Sequence, residues 1–176
     1  MVMSMLFLFS CGGKKIKMSE AITERDSLPI MQTVGVTSLV SDSGITRYRI
    51  EAEEWIIYDK QKPPYWAFEK GVYMEKFDSL FNIDASVKAD TAYYYNEQKL
   101  WKLMGHVHIQ NLKGEQFDTE LLYWNQTAEK IYSEKSIRIE QTDKIIVGQG
   151  FTSNQQMTAY TINNIEGIFY VNDSIN

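Results

Sequence analysis

A strict alternation of apolar and polar side chains, running from about Val34 onward, constrains this chain more than any other feature. In Arg47-Tyr48-Arg49-Ile50-Glu51-Ala52-Glu53, the residues Tyr48, Ile50 and Ala52 fall on one face of an extended strand and the charged residues on the other. Phe81, Ile83, Ala85 and Val87 alternate with Asn82, Asp84, Ser86 and Lys88. Trp101, Leu103, Gly105, Val107 and Ile109 alternate with Lys102, Met104, His106, His108 and Gln110, and Ile137 and Ile139 sit between Ser136, Arg138 and Glu140. Successive side chains of a strand point to opposite faces, so each segment offers one face to a core and one to water. That is the pattern of antiparallel sheet. Eleven Tyr, 8 Phe and 4 Trp with only 3 Pro point the same way, because aromatic residues suit a half-buried pleated surface.

Turn signals divide the strands. Asp42-Ser43-Gly44, Leu112-Lys113-Gly114 and Asn125-Gln126-Thr127 mark hairpins, and Lys62-Pro63-Pro64 must lie in a connection, since proline cannot donate to a ladder. Four segments resemble one another, beginning near Ile50, Lys88, Phe117 and Gly150; in the middle two, Tyr95-Asn96 and Trp124-Asn125 lie 29 residues apart. A period of about 30 residues, holding two strands and a turn, describes stacked strand pairs that bury a continuous apolar stripe. The whole is expected to be an elongated antiparallel sandwich of one domain.

Several function classes lack support. A net charge of −5 argues against nucleic acid, whose phosphates demand a basic surface. His106 and His108 share a strand face, but no carboxylate cluster converges on them, so a solvated pair is expected and no metal or cofactor. Gly148-Gln-Gly150 has no helix pattern after it and reads as a strand bend or bulge, not a dinucleotide loop. No Gly-x-Ser-x-Gly elbow is present, and carboxylates such as Glu51 and Glu53 lie on the polar face, so no enzyme is expected.

Residues 1–10 are apolar and end at Cys11-Gly12-Gly13, the only cysteine of the chain. Leu8-Phe9-Ser10-Cys11 resembles a bacterial lipobox, with Leu at −3, a small residue at −1 and the cysteine that receives acyl chains. The apolar run is shorter than the roughly 20 residues that span a bilayer and fits a signal segment. The usual positive n-region is missing; either the true start lies upstream, or only the α-amino group supplies the charge. Residues 11–29, with Lys14, Lys15, Lys17, Glu20, Glu24 and Arg25, show no packing face and read as a tether, leaving 30–176 as the folded domain.

The order Ala89-Asp-x-Ala92, Leu103-x-Gly105-x-Val107-x-Ile109, Phe117-x-Thr119-Glu120-x-Leu122, Ile131-x-Ser133, Gly148-x-Gly150-Phe151 resembles the repeated domain of lipopolysaccharide-transport proteins. Asp42-Ser-Gly-Ile-Thr-Arg-Tyr48, with Tyr65-Trp-Ala-Phe-Glu-Lys-Gly-Val-Tyr-Met-Glu-Lys-Phe77, resembles the LptC family in its Bacteroidetes form. The resemblance implies a β-jelly-roll, or taco-like, sandwich related to LptA, enclosing an apolar groove. It implies a periplasmic protein anchored at the inner membrane, here through a lipidated Cys11. Lipopolysaccharide would arrive from the β domains of an inner-membrane ABC transporter at the N-terminal edge, near Val34–Ala52. A soluble LptA-like bridge would take it at the C-terminal edge, near Thr158–Val171. The expected inward, groove-facing residues are Tyr48, Ile50, Ala52, Phe81, Ile83, Leu103, Val107, Ile109, Phe117, Ile137, Ile139 and Phe151. The familiar members carry a transmembrane helix where this chain has a lipobox. A surface-exposed β-sandwich lipoprotein that binds glycans is the alternative, suggested by the aromatic content.

Overall fold

A computed structural model describes residues 27–170. The signal segment, Cys11 and most of the tether lie outside the described residues. The strands are β1 (Met31–Asp42), β2 (Ile45–Tyr58), β3 (Tyr65–Phe68), β4 (Val72–Phe77), β5 (Ile83–Ala89), β6 (Thr91–Tyr95), β7 (Leu100–Asn111), β8 (Gln116–Asn125), β9 (Lys130–Glu140), β10 (Lys144–Asn154) and β11 (Tyr160–Tyr170). Every pairing is antiparallel. β3 and β4 pair with successive parts of β2, and β6 and β5 with successive parts of β7. β3 pairs with β6 and β4 with β5, so β3–β4 and β5–β6 act as two interrupted strands. With each counted as one, the sheet is a meander edged, among the described residues, by β1 and β11. The chain is all-β among the described residues, as the alternation requires.

A line of irregularities crosses this meander. β2 passes from β3 to β4 between Ile56 and Ala52, and β7 passes from β6 to β5 between Met104 and His108. The register slips by one residue between Met104 and Val107, between Thr119 and Tyr123, between Gln149 and Phe151, and between Val147 and Gly148. Each slip is a β-bulge, where an unpaired extra residue bends the strand and increases its twist. Gly105 shows why the sequence needs a small residue here. Its φ is +73°, and a Cβ would lie 2.7 Å from Asp90 Oδ2. Gly148 serves close approach instead: a Cβ would meet Ile162 Cγ2 at 2.5 Å and the Asn164 carbonyl at 2.6 Å. The Gly-x-Gly pair is thus the strand irregularity expected of it.

Bending at one line folds the sheet onto its own apolar face. Tyr48 on β2 and Trp124 on β8 stand four strands apart in sheet order, about 19 Å at the usual strand spacing. Their ring centroids are 5.4 Å apart, so they meet across two layers. Phe117 of β8 and Tyr160 of β11 likewise meet edge-on at 5.4 Å, three strands apart in order. One layer holds the strand halves bearing Tyr48, Ile50, Met74, Val87, Ile109, Phe117 and Ile139. The other holds those bearing Phe68, Trp101, Leu103, Leu122, Trp124, Ile131 and Phe151. The core lies between them. The turns Asn96–Lys99, 126–129 and 155–159 line one rim, which accounts for the 30-residue period: each repeat is one hairpin of the meander.

Two residues depart from the alternation that places them inward. Phe81 lies in the β4–β5 turn at φ +66°, stacks on Phe77 at 4.3 Å and is 57% exposed; Ile83 opens β5 and is 48% exposed. The Asp78 carboxylate accepts the N–H groups of Leu80 and Asn82, and the β4–β5 register shifts between Lys76 and Phe77. The turn thereby swings its apolar side chains outward. Asn82 also holds the Asp78 carboxyl below the usual carboxylate range.

Gly148→Ala is expected to lower stability by about 1–3 kcal/mol, the usual range for overpacking. Urea denaturation monitored by tryptophan fluorescence measures it, and an unchanged midpoint would show that β11 does not approach so closely.

Candidate functional site

Between the layers, packing is incomplete. One cavity, of about 160 Å³, is bounded by Val40, Ile50, Trp66, Tyr94, Trp101 and Gln126. A second, of about 50 Å³, is bounded by Val87, Leu103, Ile109, Leu122, Ile131 and Met157. Tyr48, Met74 and Trp124 line both, so the two meet at the Tyr48–Trp124 contact. Together they form an apolar cleft running across the strands from the β1 side towards the β10–β11 hairpin. Both spaces are small, and their lining is mostly apolar.

The two walls differ. The layer carrying Trp66, Phe68, Tyr94, Trp101 and Trp124 is a continuous aromatic surface. Trp66 and Tyr94 lie at 4.9 Å, Tyr94 and Trp101 at 4.8 Å, and Phe68 stacks on Trp101 at 5.6 Å. The facing layer is mostly aliphatic, through Ile50, Met74, Val87 and Ile109. The polar groups are tied up: the Tyr94 hydroxyl donates to Gln126 Oε1 at 3.1 Å, and Trp124 Nε1 donates to Gln155 Oε1 at 3.1 Å. Burial pushes the hydroxyl pKa values of Tyr48 and Tyr94 up, so both stay neutral at physiological pH. A mostly apolar wall of this kind can hold a hydrocarbon chain. Glu75 and Lys76 border the second space, and at the rim Asp42, Arg47, Lys76 and Asp78 face Gln155 and Gln156 across a shallow depression.

Of the residues expected to face inward, Ile50, Leu103, Val107, Ile109, Phe117, Ile137, Ile139 and Phe151 are buried in the core, and Tyr48 and Ala52 pack against it half-buried. Tyr48, Ile50, Leu103 and Ile109 border the open space; Val107, Phe117, Ile137, Ile139 and Phe151 are packed solid at 0–1% exposure. Phe81 and Ile83 lie outside the cleft. Sequence reasoning missed Met74, Leu122, Trp124, Ile131 and Met157 as lining residues. The Leu122-x-Trp124 pair, opposite Ile131 across a turn, carried a period-two signal that could have found three of them.

The histidines lie on the outer face. His106 stands in the bulge at φ +42°, with Nδ1 2.6 Å from Asp90 Oδ2. His108 Nδ1 is 2.6 Å from Asp118 Oδ1, and Arg138 pairs with both Asp118 and Glu140. Among the described residues no three ligand-type side chains gather to hold a metal. The pairs brace neighbouring strands.

A family comparison matches residues 17–165 to the lipopolysaccharide-assembly, LptC-related family. The chain belongs to the LptC family. Membership gives this LptC-family chain a part in lipopolysaccharide transport, in the periplasm and associated with the inner membrane, within a transport-associated family. Comparison with curated proteins gives no match.

The bulge carries its own pH signature. Asp90 raises the His106 pKa above its ordinary value through their hydrogen bond and their attraction. A raised folded-state pKa adds stability that is full below the unfolded value, about 6.5, and lost as pH rises through the folded value. NMR titration should show the His106 pKa falling towards its ordinary value in Asp90→Asn. An unmoved titration would contradict the pairing.

Proposed function

We propose that this domain receives lipopolysaccharide from the β domains of an inner-membrane ABC transporter, holds the acyl chains in the cleft and passes them to a soluble, LptA-like periplasmic bridge. It acts as a carrier and not as an enzyme. The observation that carries this reading is a mostly apolar cleft in a domain whose two sheet edges are free among the described residues. Burying hydrocarbon there stabilises binding by about 25 cal/mol per Å². Among the described residues β1 pairs only with β2, and β11 only with β10. Both edge strands expose large apolar side chains: Val34 and Leu39 on β1, Ile165, Ile168 and Phe169 on β11. Long, apolar free edges promote aggregation unless a partner strand covers them. The transporter is assigned to the β1 edge and the bridge to the β11 edge, so that one cleft continues into the next. Tyr48, Ile50, Leu103 and Ile109 are assigned to acyl contact. Cys11 is the proposed lipid anchor; it precedes β1 by a tether long enough to leave the domain in the aqueous periplasm.

The glycan-binding alternative draws on tyrosines of the outer face. Their geometry disfavours it. Tyr58 and Tyr65 stack at 4.9 Å and 28°, and Tyr123 and Tyr132 at 5.1 Å and 19°, so the rings cover each other's flat faces instead of offering them to a sugar.

Depleting the protein should leave newly made lipopolysaccharide in the inner membrane, read by membrane fractionation after a pulse label; normal export would overturn the proposal. Cys11→Ala should lose palmitate labelling and leave the membrane fraction. A variant that keeps the label or the membrane would refute the anchor.

A further inference from the structure

The cleft ends at a piece of the protein's own chain. Three turns on one rim each use one non-glycine residue in the left-handed region: Lys99 at φ +48°, Glu129 at +53° and Met157 at +56°. Lys99 and Glu129 are exposed, as left-handed turn residues normally are. Met157 is 1% exposed, with its side chain in the cleft beside Leu103, Ile109 and Leu122. Its neighbours Gln156 and Thr158 are exposed, so the chain dips inward for this one residue. The turn is also longer: five residues separate β10 from β11, against four in each of the other two.

Polar contacts hold the dip in place. The Met157 carbonyl accepts from Asn111 Nδ2 at 2.9 Å, a bond from one layer to the other. Asn111 is fixed in turn, its Oδ1 accepting the N–H groups of Lys113 and Glu115. Trp124 holds Gln155 from the cleft wall. Within the loop, Asn154 Oδ1 accepts from the Thr158 N–H at 2.9 Å, and the Asn154 carbonyl from the Met157 N–H at 3.1 Å. An unbranched thioether in a backbone conformation that L residues avoid, held by a single bond across the cleft, is poised to leave.

We propose that the Asn154–Thr158 loop is a displaceable plug, in which Met157 occupies the place of an acyl-chain end until an incoming lipid expels it. Expulsion breaks the Asn111–Met157 bond and swings the loop out on the β10–β11 hairpin. The plug rests on the reading of the cleft as a lipid groove. Because β11 is also the free C-terminal edge, emptying and filling of the groove are coupled to the strand that offers itself to a partner.

The test uses the full chain with Met157→Gly, which removes the side chain and suits the left-handed backbone. A site occluded for most of the time binds with an affinity reduced by its open fraction, so unplugging should tighten binding of the apolar dye N-phenyl-1-naphthylamine by about ten-fold. Gln155→Ala, which frees the loop from Trp124 and keeps Met157, should show a smaller gain. Equal affinity in wild type and both variants, with unchanged thermal melting, would overturn the plug. Purified lipopolysaccharide separates the two ideas. If the dye binds more tightly and lipopolysaccharide does not bind at all, the plug stands and the lipid assignment fails. If lipopolysaccharide binds wild type and Met157→Gly equally, the groove stands and the plug fails.

Discussion

Everything in this domain depends on one line of β-bulges running across the meander. A sheet with one apolar face must cover that face, and most sheets do so with a second sheet or with helices. Here the strands themselves bend at a common line, and one half of each folds over the other. The extra residues near Gly105, between Thr119 and Tyr123, and around Gly150 are therefore what turns a flat ribbon into a sandwich. Because both layers come from the same strands, neither can separate without straightening the bulges. Among the described residues the folding also leaves both edge strands free, since the sheet closes face to face and not edge to edge.

The two layers do not match each other closely, and the mismatch makes the cleft. Near the fold line, Val107, Phe117, Ile137, Ile139 and Phe151 fill the space completely. Farther out, flat indole and phenol rings on one wall face branched and unbranched aliphatic chains on the other, and the fit is poorer. Tyr48 and Trp124 bridge the gap at one point, dividing it into two communicating spaces. The interior is mostly apolar, bordered by Glu75, which pairs with Arg49, and by Lys76, which pairs with Asp84.

Much of this was legible in the chain. Alternation located β2, β7 and β9 and the faces they bury, because a period of two is fixed by strand geometry and survives any tertiary context. Turn chemistry located the hairpins at Ser43–Gly44 and 126–129. Gly148-x-Gly150 announced a bend. What stayed hidden depends on contacts between distant residues. Phe81 and Ile83 continue a perfect alternation, yet the Asp78 carboxylate organises the preceding turn and exposes both. Nothing in the local sequence says that the pairing of β2 changes partner beside Gly71, or that Asp90 interrupts a strand to face His106. Met157, in a polar turn between Gln156 and Thr158, reads as surface; only the fold places Asn111 where it can draw that turn inward.

The account stands or falls on whether the interior carries the lipid. Photoreactive side chains placed in living cells at Val87 and Leu122, on opposite walls of the cleft, and at their outward neighbours Lys88 and Tyr123 test this directly. Crosslinking to lipopolysaccharide at the inner pair and not at the outer pair is the predicted result. Equal capture at all four positions, or capture only on the outer face, would contradict it.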